Sequence, residues 1–224
     1  DALREFEFTL SIITDDFESL VGCGQARDQL GLHQEAIADF DAALVMQPGN
    51  ASVLASRGSA KAHLGQWKQA LTDFESAVLI EPTSYSTRLC CGEANIKLKL
   101  FEQAERDYSA VLEALPHDAE ALAGQRQAKL ELLSERLRAK VELHDWEGAL
   151  CKFDALLEMA PGEISLLGGR AEAKRMLRRC REAVLDLDSV LAVQPKDVYA
   201  LSSRGLALGV LQKFMEAIQD FDKA

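Results

Sequence analysis

All five prolines of this chain obey one spacing: Pro48, Pro82 and Pro116 are 34 residues apart, a step of 45 leads to Pro161, and 34 more reach Pro195. The same ladder recurs in Ala36, Ala70, Ala104, Ala149, Ala183 and Ala217. It recurs again in Phe40, Phe74, Tyr108, Phe153 and Phe221, with Leu187 in the one remaining slot. A period of 34 residues marks a helix–turn–helix repeat. Composition points the same way, because aromatics are only 6% of the chain while Ala, Leu, Glu, Gln and Lys abound, which favours helix over strand. The expectation is an all-α protein of stacked antiparallel helix pairs.

Within residues 51–84, Leu54, Gly58, Leu64, Gly65, Trp67, Ala70, Phe74, Ala77 and Pro82 fall at the characteristic positions of the tetratricopeptide repeat, and the chain resembles that family along essentially its whole length. The resemblance implies a right-handed α-solenoid with units at 17–50, 51–84, 85–118, 130–163 and 164–197, and a sixth, 198–224, cut off inside its second helix. Residues 1–16, with Ala2 and Phe6 in register, read as the second helix of an earlier unit. Both ends are open in this reading, so the expectation is a stretch of a longer protein.

The pattern has a physical reason. Gly24, Gly58, Gly92, Ala171 and Gly205 on the first helices, with the alanine ladder on the second, remove bulk where helices approach closely. Trp67, Phe101, Trp146 and Phe214 stand at the inter-helix turns, and the Phe40-to-Phe221 ladder fills the seams between helices. A single pair cannot bury its apolar face alone, so stability comes from stacking. Proline then closes each second helix. The irregular step equals 34 plus 11, and 11 residues complete three helical turns with only about 20° left over. Residues 119–129 therefore read as a helical extension, giving one unbroken helix from Ala119 to Leu143. Leu137 replaces the small residue in the unit at 130–163, which puts close packing there in question.

Charge is uneven. Residues 1–118 carry 9 basic and 19 acidic side chains, the remainder 16 and 17. Such a surface repels nucleic acid and anionic membranes at long range and attracts a basic partner. The densest basic cluster includes Arg175, Arg178, Arg179 and Arg181, which gives an alternative reading as an RNA-binding face. No aromatics are interleaved there to stack bases. Arg57, Arg170 and Arg204 each precede an aspartate (Asp73, Asp186, Asp220) by 16 residues. This "Arg-Gly … Asp-Phe" version of the repeat predicts an internal salt-bridge ladder.

No segment is apolar enough over about 20 residues to cross a bilayer. The five cysteines are odd in number without C-x-x-C spacing, so a reducing compartment such as the cytoplasm fits best. His33, His63, His117 and His144 lie in different repeats with no ligand spacing between them, so no metal site is expected. No nucleophile, Walker or dinucleotide fingerprint is present, and neither a catalytic role nor a cofactor is expected.

The resemblance further implies that first helices line a concave face where partner polypeptides lie. Projected onto this sequence, that face holds Gln25, Ser52, Ser56, Ser59, His63, Leu89, Glu93, Arg138, Glu172, Tyr199 and Ser203. Chaperone-binding relatives grip a peptide carboxylate with Lys, Asn and Arg at inner positions. Here Val21, Gln25, Ser56, Ser86 and Cys90 stand there, so that clamp is missing. The expected function is a protein–protein interaction scaffold, within a larger protein or complex, holding a peptide or helix; the alternatives are the RNA reading and a recruitment module of a larger enzyme.

Overall fold

The computed structural model describes residues 16–224. The second helix expected over residues 1–16 falls outside them. The described residues form helices and no strands. They are α1 (Phe17–Gln29), α2 (His33–Met46), α3 (Ala51–His63), α4 (Trp67–Ile80), α5 (Tyr85–Lys97), α6 (Phe101–Ala114), α7 (Ala119–Glu142), α8 (Trp146–Met159), α9 (Ile164–Met176), α10 (Cys180–Val193), α11 (Val198–Val210) and α12 (Phe214–Lys223). The chain divides into two compact units, one ending at Lys129 and the other beginning at Leu130, so the boundary falls inside α7.

Short polar signals place the helix ends. Two residues after each proline comes the residue before the next helix. At Asn50, Asp118 and Asp197 its side-chain oxygen accepts from the backbone N–H three residues on, at 3.1, 2.8 and 2.6 Å. That contact satisfies one of the helix's orphan donors. At the other turn, the chain leaves the first helix through a left-handed residue. Gly31 and Gly65 take φ of 79° and 74°, but Lys99, His144, Arg178 and Gln212 adopt the same conformation with side chains attached, a strain of about 1 kcal/mol each.

Packing is built around the second-helix aromatics. A Cβ placed on Gly24 would lie 2.6 Å from the Phe40 ring, and one on Gly58 2.6 Å from the Phe74 ring. Tyr108 and Phe153 are also covered by the residue 16 positions later, Gly124 and Gly169. Tyr108 sits between Gly92 and Gly124, and a Cβ at either glycine would collide with its ring. The N-terminal half of α7 therefore covers Tyr108 in the first unit, with Ala121 and Ala128 fully buried beside it. In the second unit, Leu137 and Val141 of the same helix pack against Ala149 and Phe153. Leu137 does not unseat Phe153, because Gly169 on the opposite side supplies the room: its added Cβ would lie 2.6 Å from the ring.

Phe40 is 0% exposed and Phe221 47%. Phe214 is 61% exposed. Gly58→Ala should lower stability by about 1–3 kcal/mol through overpacking against Phe74. Gly168→Ala, whose new methyl meets nothing within 4 Å, should raise it by about 0.5–1 kcal/mol through helix propensity. Thermal denaturation of the two variants checks both signs.

Candidate functional site: a small-residue groove on the first helices

Between α3 and α5 in the first unit lies a groove of about 340 Å³, lined by Ala51, Ser52, Ala55, Ser56, Ser59, Ser84, Ser86, Thr87 and Cys90, with Phe74 as its floor and Glu81 at its rim. Its walls are small for a packing reason: Ser56 and Cys90 occupy the same repeat position as Gly124, which must leave room for the ring beneath. Some hydroxyls are already turned inward. Ser59 donates to the Ala55 carbonyl at 3.1 Å, and Ser84 and Thr87 share a 2.8 Å hydrogen bond.

The structure distributes the sequence-derived residues unevenly. Ser52, Ser56 and Ser59 line this groove together. On α1 Gln25 is exposed, as is Glu93 on α5, whereas Leu89 packs against the cluster around Tyr108. In the second unit Arg138 is exposed on α7, and Glu172 of α9 lies near Tyr199 of α11. Ser203 is the exception: it is 6% exposed, so it is buried and not a surface contact. His63 does not join the groove contacts but turns to Asp28, with Nδ1 3.2 Å from Oδ1.

Cations near the groove are committed elsewhere. Arg57 donates through Nε and Nη2 to both oxygens of Asp73, at 2.8 and 2.6 Å, and through Nη1 to Asp41 at 2.6 Å. Lys61 adds a 2.7 Å bond to Asp73. The second unit repeats the arrangement, with Arg170 on Asp186 and Asp154 and Arg204 on Asp220 and Asp188. These bidentate pairs, led by the aspartate on the same helix pair, hold each guanidinium pKa above its ordinary value. The basic cluster is partly neutralised in the same way, since Arg175 forks onto Glu172 and Arg179 onto Glu182. Arg178 and Arg181 remain exposed.

The third pair lacks this ladder. Cys91 and Asn95 stand where the second pair has Arg57 and Lys61, so Asp107 receives a 2.8 Å bond from Asn95 and only a distant Arg88, at 3.9 Å. Burial raises the Asp107 pKa, against the lowering effect of Asn95 and Arg88. A carboxyl raised in the folded state opposes folding above its unfolded pKa, and the penalty fades as pH falls through the folded value. Asp107→Asn should therefore raise the unfolding temperature at about pH 7, with a gain that shrinks as carboxylates protonate. Melting curves across pH test this.

Thiols and imidazoles divide by environment. Cys23, Cys91 and Cys180 are buried, and burial pushes the Cys91 thiol up to about 12. Cys151 alone is exposed among the five. Alkylation of the native chain should therefore label Cys151 first, with the buried three reacting only on unfolding, as peptide mapping would reveal. The histidines correct the sequence expectation. Asp28, His33 and His63 come together, each with a ligand-type atom and all of these within 4.8 Å of one another. Sequence spacing hid this group because Asp28 and His63 are 35 residues apart and meet only across a repeat seam.

Stacked helix pairs with ring-filled seams define a helical-repeat protein of the α-solenoid class. The sequence model of the tetratricopeptide repeat family matches residues 24–86. The described helices have the fold of tetratricopeptide repeat structures. Among solved structures, it resembles a tetratricopeptide repeat protein from Parabacteroides merdae (21% identity, TM-score 0.55, covering 99% of this chain and 84% of that one). It also resembles YrrB, a tetratricopeptide protein with an unusual peptide-binding site (19% identity, TM-score 0.52, 88% of this chain and 95% of that one). Over 52% of its length it is similar to the first tetratricopeptide domain of Spaghetti (RPAP3) bound to the HSP90 peptide SRMEEVD (27% identity, TM-score 0.50, 92% of that chain). No curated protein sequence matches the chain. No described helix is long and apolar enough to cross a membrane.

Proposed function

We propose that this chain is an interaction scaffold, within a larger assembly, that holds an extended segment of a partner protein along its first helices. Ser52, Ser56, Ser59 and Ser86 are its contacts, all in the first unit. The observation that carries this is the groove between α3 and α5, whose walls of small hydroxyl side chains leave a main chain room to approach. Solved relatives with a peptide-binding site or a bound peptide support the general mode.

The groove chemistry argues for a different ligand from SRMEEVD, which carries three acidic residues. Here no cation lines the groove, and Arg57 and Lys61 on the same helix are paired with aspartates. With acidic residues in excess over 1–118, the matching segment is neutral or basic, small in its side chains and read through backbone hydrogen bonds. Peptides selected from a display library against the whole chain, measured by fluorescence anisotropy, test this. Ser86→Arg should weaken selected neutral or basic peptides at least tenfold, about 1.4 kcal/mol, while Val45→Ser on a second helix leaves them unchanged. Selection of acidic peptides, or equal binding by both variants, would refute the reading.

A further inference from the structure

The cluster formed by Asp28, His33 and His63 lies outside the groove and serves no part of the proposed peptide contact. Asp28 is near the end of α1, His33 opens α2, and His63 closes α3 in the neighbouring repeat. Both imidazoles present Nδ1 to one carboxylate oxygen, at 2.6 Å from His33 and 3.2 Å from His63, and their ring centroids are 4.6 Å apart.

Repeat register shows how unusual the combination is. One period on, the positions of Asp28, His33 and His63 hold Ala62, Trp67 and Lys97. There Lys97 lies over the Trp67 ring, 5.6 Å from its centroid, so the same cross-seam contact is made by a cation on an aromatic face. In the first seam all three positions change together, and each change installs a metal-ligating group. An apolar seam needs none of them. The donors sit on helix ends fixed by seam packing, which limits their freedom to drift apart.

We propose that Asp28, His33 and His63 bind one borderline divalent cation, with Zn²⁺ the best match. Two imidazole nitrogens and a carboxylate oxygen are ligands suited to zinc. At Zn–N and Zn–O distances of about 2.0 Å, tetrahedral donors stand about 3.3 Å apart. The present separations reach that by small side-chain rotations. Each neutral imidazole would carry its proton on Nε2, freeing Nδ1 for the metal. Asp28 is 18% exposed and His63 53%, so the site is walled on one side and open on the other, leaving a fourth position for water or a partner's side chain. Bound metal would brace α1 and α2 to α3 across the seam.

Titration of the tag-free, metal-stripped chain with ZnCl₂, by calorimetry and by competition with a chromophoric chelator, tests this. One equivalent of Zn²⁺ should bind, MgCl₂ should not compete, and the melting temperature should rise with Zn²⁺. His63→Ala, at an exposed position, and His33→Phe, which restores a turn aromatic of the kind found at Phe101, should each weaken Zn²⁺ by on the order of 100-fold and abolish the thermal shift. Cys151→Ser should leave binding intact. No binding at excess Zn²⁺, binding indifferent to both histidine variants, or binding lost only in Cys151→Ser would overturn the assignment.

Discussion

A ring held between two helices is the contact on which everything else rests. Each second-helix aromatic needs a residue with little or no side chain on at least one side, 16 positions before it or 16 positions after it. Gly24 performs the first task for Phe40, Gly92 and Gly124 both for Tyr108, and Gly169 the second for Phe153. Because the covering residue belongs to the next first helix, every seam fixes the spacing of two neighbours. The same requirement shapes the outer surface. Ser56 and Cys90 are small because a ring lies under them, and the shallow groove above them follows from that packing. The groove proposed for a partner is thus the outer side of the contact that holds the repeats together.

Much of this was legible from spacing. The proline and alanine ladders locate the helices, the eleven-residue surplus predicts the long helix that appears as Ala119–Glu142, and the Arg–Asp separation of 16 anticipates the bidentate pairs. What spacing misses are contacts whose two sides come from different repeats at unrelated offsets. The approach of His63 to Asp28 is of this kind. The second partner of each arginine is not: Asp41, Asp154 and Asp188 each lie 16 residues before it on the preceding second helix, a spacing as regular as that of the first partner. The burial of Ser203 was missed for another reason: a projection onto one helix shows which way a side chain points but not how closely neighbouring helices approach it.

The third pair shows that the ladder is an option within the repeat and not a condition of it. Cys91 and Asn95 replace the cations, Asp107 keeps its place, and the pair still buries Tyr108 between two glycines. Apolar packing sets the geometry, and the charged groups adapt to it. This order agrees with the large desolvation cost of buried charge, which only a well-formed pair offsets.

The two-sided grip of each arginine has a consequence for how the pairs respond to their surroundings. Arg57, Arg170 and Arg204 each hold one buried aspartate within their own pair and one half-exposed aspartate, such as Asp41 at 54%, on the pair before. Dissolved ions screen exposed charges far more than buried ones. Ionic strength therefore acts selectively: it slackens the electrostatic link from one pair to the preceding pair while leaving the link inside each pair tight. The seam at Cys91 and Asn95, having no such link, is indifferent to it.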